Sequence, residues 1–322
     1  MALLVISGCS QPTPRSSMLL GGDVMLARAG EAMFSNAVPS VSPWGELRDV
    51  MREMPVDAFA INLESPLGVL GSEVETDHLS MNLCAPESQA GLLLQGGVTL
   101  ATNANNHAAD CEGSDPDNTV SVLNAAGIGI PSEAYVPLFV QINGQKVAII
   151  SANDTVGELD LDTLLRVVAS VRDECGLVVV SMHWGNDYQA GPSQHQQSIA
   201  QQLVDAGADI LWGHHPHVLQ RVEWLPAASG EREGLVIYSL GNLLSDQWML
   251  TDALQTALIK VEFYNHQITS IVVIPMKMQR ETKSLVLVQN AEGVGWVSDR
   301  LRLSELIRDE IPVTIFQADR EN

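Results

Sequence analysis

Eight short apolar runs punctuate the chain: Met18–Leu20, Ala58–Ile61, Val98–Ala101, Val147–Ser151, Leu177–Ser181, Ile210–Trp212, Leu235–Leu240 and Ile268–Ile274. Each is rich in Val, Ile and Leu and too short for a buried helix. Continuous apolar runs of this length are the pattern of strands covered on both faces. Helix signals lie between them. Asp115-Pro116 sets a cap residue before a first-turn proline, and Val120 and Leu123 continue the segment to Gly127. Ser193 opens another helix, with Ile199, Leu203 and Val204 on one face and Gly207 closing it. Strands alternating with helices predict an α/β layered fold. No repeat and no linker interrupt residues 18–275, which read as one domain. Residues 276–322 read as a small C-terminal appendage: a strand pair, a turn at Asn290–Gly295 and a short helix around Ser304–Arg308.

Charge narrows the function classes. Against 39 acidic residues stand 17 basic ones, for a net charge of -22. A nucleic-acid binder needs a basic surface to collect phosphates, so that class is excluded. No run approaches the ~20 apolar residues of a membrane-spanning helix. The four cysteines form no CxxC pair, which excludes a zinc ribbon. Burial is the expected state of Cys84, Cys111 and Cys175, although an oxidising compartment would permit a Cys84–Cys111 bridge.

The N-terminus carries a compartment signal of its own. A short apolar run is followed by Ile6-Ser7-Gly8, then Cys9, then a polar stretch with Pro12 and Pro14. This resembles a bacterial lipoprotein signal in which Cys9 becomes the acylated first residue, so residues 1–17 are expected to be signal and linker. The run is shorter than the ~7–15 residues of a signal core and no Lys or Arg precedes it, as a start codon placed downstream of the natural one would leave it. Export and a lipid anchor on the bacterial membrane follow from this reading.

The polar residues that end the strand-like runs carry the chemistry. The first run ends in Gly21-Gly22-Asp23, and the next in Asn62-Leu63-Glu64. Asn105-Asn106-His107 and Asp110 follow the third, and later come His183-Trp184-Gly185 and His214-His215-Pro216-His217. Open α/β sheets place their sites at such strand ends. Carboxylate, amide and imidazole donors without thiolate suit one or two divalent transition ions, Mn, Fe or Zn. Glu64 is the natural bridge between two ions and Asp23 a terminal ligand. His183, His215 and His217 supply imidazoles, and Asn106 supplies an exchangeable carbonyl oxygen. A metal-bound water would be the nucleophile. His107 is placed to protonate a leaving oxygen, with Asp110 holding its ring.

These motifs, together with Tyr238-Ser239-Leu240-Gly241-Asn242, resemble the CapA/PgsA family of bacterial capsule and poly-γ-glutamate synthesis proteins over roughly residues 18–275. That family is similar to the calcineurin-like metallophosphoesterases. The resemblance implies a four-layer α/β/β/α sandwich of metallophosphoesterase type with its metal site at one edge. Asp23, Glu64, Asn106, His183, His215 and His217 would be the ligands and His107 the catalytic acid. Envelope polymer or its precursor, and membrane polymer-synthase subunits, would be the partners. Two positions depart from the wider superfamily: Met25 stands where Asp-x-His has an imidazole, and Glu64 stands in place of a bridging Asp. His214 falls outside the implied ligand set, and Asn242 is read as either a hydrogen-bond partner near the site or a backbone element of its turn.

Two readings follow: a metal-dependent hydrolase, or a non-catalytic scaffold that keeps the metal site as a binding surface. An amidohydrolase barrel is set aside, because its His-x-His lies on a first strand and here it lies on a late one. His78, His195 and His266 are expected to be structural, and Trp184 and Trp212 to pack in the core. A polyglutamate chain is itself an anion, so contact with it would need the metal centre or a local patch around Arg15 and Arg28.

Overall fold

The computed structural model describes residues 15–27, 42–68, 81–111, 117–308 and 310–318. Cys9 with its cleavage box, Arg28, His78 and the Asp115-Pro116 cap lie outside the described residues. In chain order the first half runs β1 (Ser16–Val24), α1 (Leu47–Glu53), β2 (Ala58–Leu63), β3 (Leu67–Gly68), β4 (Ala85–Pro86), α2 (Ala90–Gln95), β5 (Leu100–Thr102), α3 (Asn118–Ala125), β6 (Leu138–Ile142) and β7 (Gln145–Asn153). The second half runs α4 (Leu161–Val171), β8 (Leu177–His183), α5 (Gln194–Ala206), β9 (Ile210–His214), β10 (Val222–Pro226), β11 (Glu233–Ile237), β12 (Asn242–Leu244) and β13 (Gln255–Tyr264). It closes with β14 (Gln267–Gln279), β15 (Ser284–Leu287), α6 (Ala291–Leu301), α7 (Leu303–Leu306) and β16 (Val313–Ile315).

Two sheets carry the architecture. The first has the order β15-β14-β13-β1-β2-β5, with β12 also beside β1 and β16 beside β14. The second has the order β10-β11-β9-β8-β7-β6. Strands β12, β1, β2 and β5 are parallel, as are β7, β8, β9 and β11. Period-2 alternation distributes each strand between two cores. Met18 and Leu20 of β1 meet Val147, Val179, Ile210 and Trp212 of the second sheet in the core between the sheets. Leu19 faces the opposite way, with Phe59, towards Leu47 of α1, Leu93 of α2 and Leu123 of α3. On the far side, Leu164 and Val168 of α4 and Ile199 and Leu203 of α5 cover Val178, Val180 and Leu211. Burial on both faces stabilises each such side chain by about 1.5–3 kcal/mol, and the layers stack α/β/β/α.

Helix α5 begins and ends where its sequence signals put it. The Ser193 hydroxyl accepts from the Gln196 amide, the Gln196 side chain reaches back to the Ser193 amide, and Gly207 terminates the helix at φ 129°. The C-terminal segment differs from expectation. Asn290–Gly295 is the start of helix α6 rather than a turn: Asn290 accepts from the Gly293 amide at 2.6 Å as the N-cap. Two glycines among the first five helical residues argue for a loop, but Val297 and Leu301 gain burial in the inter-sheet core and outweigh that propensity. Strand β14 spans position 275, and β15 and β16 both pair with it, so the chain beyond 275 extends the first sheet.

Cysteine pairing also departs from the expectation of simple burial. Cys84 and Cys111 form a disulfide with their Cα atoms 4.8 Å apart, while Cys175 is a free, half-buried thiol whose pKa burial pushes up. The two loops meet because Leu83 and Asn82 are already hydrogen-bonded to Asp110 beside Cys111. Among the described residues, no helix is long and apolar enough to cross a membrane.

Candidate metal centre

The C-terminal ends of β1, β2, β5, β8 and β9 open on one edge of the sandwich, and each delivers polar side chains there. Asp23 sits near the end of β1, in register with Asn62 of β2 on one side and Asn242 of β12 on the other. Its neighbour must be glycine: a Cβ on Gly22 would lie 1.9 Å from the Gly241 carbonyl oxygen. That close approach lets the Asp23 amide donate to Gly241 at 2.9 Å and seats the carboxylate fully inside the protein. Glu64, the first residue beyond β2, is equally buried, and its amide donates to Val24 at 3.0 Å.

The imidazoles arrive from the second sheet. His183 ends β8, with Nε2 2.8 Å from Asn106 Oδ1 and 3.7 Å from Glu64 Oε1. His217 Nδ1 lies 3.3 Å from Asp23 Oδ2, 3.9 Å from Glu64 Oε1 and 3.0 Å from Asn242 Oδ1. The His215 amide donates to Asp23 Oδ2 at 3.2 Å, and its ring centroid is 4.8 Å from that of His183. His215 and His217 hold φ values of 93° and 59°. Such left-handed backbone costs of order 1–3 kcal/mol per residue and clusters at functional sites. Asp23, Glu64, Asn106, His183, His215 and His217 are thus all brought to one edge.

His107 stands beside them. Its Nδ1 is 2.8 Å from Asp110 Oδ2, and its amide donates to Asn105 Oδ1 at 3.0 Å. Asp110 is itself held, its carboxylate accepting from the Leu83 amide at 2.7 Å and its carbonyl from Asn82 Nδ2 at 2.8 Å. Met25, Asn106, His107 and His217 line a common cleft of about 260 Å³.

Charge states follow from burial and neighbours. Burial would raise the Asp23 carboxyl, but hydrogen bonding to His214 and His217, and their charge, hold it well below the ordinary carboxylate value. Burial keeps His183 neutral, well below the usual imidazole range, and lowers His215, assisted by repulsion from His217. His217 goes the other way. Burial opposes its proton, yet Glu64 and then Asp23 raise it to about 9. The donor set fits divalent ions. Nε2 of buried His214 and Nδ1 of His215 have no hydrogen-bond partner among the described residues, and two buried carboxylates stand beside the rings of His183 and His217. Asp23, Glu64, Asn106, His183, His215 and His217 are the residues that would hold one or two ions.

Three neighbours, Asn62, His214 and Asp187, were not assigned a role from sequence, and Asn242 was left with two readings. Asn62 Nδ2 donates to Asp23 Oδ1 at 2.8 Å and lies 3.4 Å from His183 Nδ1. Its two-residue spacing from Glu64 was the available signal, since both fall on one strand face. His214 Nδ1 lies 3.2 Å from Asp23 Oδ1; it shares a strand face with Trp212, and that face turns towards the first sheet. Asn242 takes the hydrogen-bonding reading, through His217. Asp187 lies 3.6 Å from His215 Nε2, and no sequence pattern pointed to it. Trp184 and Trp212 are core residues, stacked on Tyr238 and donating to Gly21 respectively. His195 pairs with Asp154 at the surface, and His266 bonds Asp209 at 2.7 Å, before the start of β9 and so at its opposite end from His214.

The chain is similar to known proteins in sequence and in fold. The family model "Bacterial capsule synthesis protein PGA_cap" matches residues 17–247. The capsule biosynthesis protein CapA of Bacillus anthracis is 29% identical over 224 residues, 62% of this chain and 53% of that protein. The PGA biosynthesis protein CapA of Bacillus subtilis (strain 168) is 29% identical over 219 residues, 61% of this chain and 55% of that protein. The chain therefore spans about half the length of these relatives. Among solved structures, a novel phosphatase of Mycoplasma pneumoniae aligns with a TM-score of 0.53 at 13% identity, covering 87% of this chain and 96% of that one. A hypothetical protein from Thermus thermophilus aligns with a TM-score of 0.51 at 15% identity, covering 84% and 98%. At these identities the likeness is one of fold alone, and that fold is the α/β/β/α sandwich described above.

Proposed function

The chain belongs to the PGA_cap family of bacterial capsule synthesis proteins, and we propose that it serves capsule or poly-γ-glutamate synthesis as a metal-dependent hydrolase of the phosphoesterase kind. The observation that carries this reading is the convergence of two buried carboxylates, Asn106 and three imidazoles beside a His107–Asp110 pair. Divalent ions bound there would supply a water of depressed pKa and polarise a phosphoryl oxygen. The protein's own groups do the rest. Asp110 accepts from His107 Nδ1, which orients the ring and leaves Nε2 to deliver a proton to a leaving oxygen. Asn62 holds the Asp23 carboxylate in place for an ion.

The test is metal content and turnover on the purified chain. Wild type loaded with Mn²⁺ should hydrolyse bis(p-nitrophenyl) phosphate or p-nitrophenyl phosphate. His107→Ala should keep the metal and lose hydrolysis; retained turnover would remove His107 as the acid. A scaffold within a membrane polymer-synthase complex is the second reading, favoured by Met25 in place of an imidazole. It predicts bound metal or none, no turnover on any phosphoester, and co-purification with synthase subunits. Anchoring through an acylated Cys9 on an exported protein belongs to the same proposal. Mass spectrometry of the mature protein should find an acyl mass on Cys9, and an unmodified Met1 would exclude it. An anionic polymer would meet a chain of net charge -22, so its contact is expected at the metal edge.

A further inference from the structure

We propose that Asp187 is a metal ligand, forming with His215 and His217 an outer ion position that adds the donor this chain lacks at Met25. The inference rests on the metal-centre reading above. Asp187 Oδ1 lies 3.6 Å from His215 Nε2 and 3.7 Å from His217 Nε2. The three donor atoms lie within 4.8 Å of one another, a spread that contraction around one ion can close. A second trio, Asp23, Glu64 and His217, meets the same criterion further inside. His217 belongs to both. Its Nδ1 faces Asp23 and Glu64 and its Nε2 faces Asp187, so with both positions filled it would bind as an imidazolate, its last ring proton passing to solvent.

The backbone places Asp187 for this role. Gly185 turns the chain at φ 87° directly after β8, and a Cβ there would meet the Gln196 side chain at 2.8 Å. The Tyr188 amide then donates to the Pro216 carbonyl at 2.8 Å. That bond ties the Asp187 loop to the middle of His-Pro-His, so the carboxylate and both imidazoles move together. Met25 and Asp187 line the same cleft as His217. A thioether is a poor donor for Mn²⁺, Fe²⁺ or Zn²⁺, whereas a carboxylate oxygen is a good one. The Asp187 side chain is 54% exposed and that of Asp23 1%. The outer ion would therefore sit at the mouth, open to solvent and exchangeable, and the inner one would be retained.

The experiment is a Co²⁺ titration of the metal-stripped full chain, followed by visible absorption and by elemental analysis after gel filtration. Wild type should take up two equivalents in two phases. Asp187→Asn should keep the tight phase and its melting temperature and weaken the second by at least about 100-fold, because loss of an outer-shell partner alone costs about 10–100-fold and Asp187 is a direct ligand in this proposal. Asp187→Ala combined with Met25→His should restore the second equivalent, which a carboxylate serving only to balance histidine charge would not produce. Two unchanged phases in Asp187→Asn would overturn the inference and leave the metal-centre reading intact. A wild-type chain that binds no Co²⁺ would overturn both.

Discussion

Severing the Cys84–Cys111 bridge tests how the acid is held. The two cysteines are 27 residues apart, and the loop they close contains α2, β5 and the His107–Asp110 turn. Removing a cross-link of that span returns loop-closure entropy to the unfolded chain, about 3.5 kcal/mol at 25 °C. For 322 residues the unfolding entropy is roughly 0.7 kcal/mol/K, so Cys84→Ser/Cys111→Ser should melt about 5 °C below the oxidised wild type. Calorimetry on the variant, on oxidised wild type and on wild type with dithiothreitol is the assay. The two thiol forms should coincide. Function should move too, because Leu83 and Asn82, beside Cys84, hold Asp110, and Asp110 holds His107. Phosphoester turnover should fall while metal content stays constant. A shift below about 1 °C would refute the entropic argument, and unchanged turnover at full metal loading would refute the positioning one.

Three other outcomes are expected. His217 carries a proton up to about pH 9 in the metal-free chain, so apparent metal affinity should rise about tenfold per pH unit between pH ~6.5 and ~9; calorimetry in buffers of different ionisation enthalpy should find a proton released at pH 7, and none would contradict it. Without metal the linkage has the opposite sign: the His217 contribution to stability is complete below pH 6.5 and lost as pH rises through about 9, while that of Asp23 is present above pH 3.8 and lost as pH falls through its lowered value; urea melts across pH on stripped protein check both. Asp209 accepts from Arg172 at 2.7 Å, the Val178 amide at 2.8 Å and His266 at 2.7 Å, so Asp209→Ala should cost about 3 kcal/mol by leaving buried donors unpaired, with metal stoichiometry unchanged.

Read alone, the sequence contained the local facts. Continuous Val, Ile and Leu runs specify buried strands because no other element covers so short an apolar stretch on every side. Ser193 with Gln196 specifies a helix start because the two side chains satisfy its free amides. The polar residues closing those runs named the ligand candidates, since strand ends are where a parallel sheet exposes side chains together. Strand β13 was missed: Lys260 and Glu262 interrupt its apolar pattern, and only its place between β1 and β14 buries it. Helix α6 needed the inter-sheet core to overcome its glycines. The Cys84–Cys111 pair needed two loops to meet. Asp187, and the inward turn of His214, depend on how the second sheet is set against the first. Asp23 and His215 are 192 residues apart and in hydrogen-bond contact. Side-chain periodicity repeats every two or about four residues and carries no record of such distances; the register between strands and the stacking of the two sheets decide them.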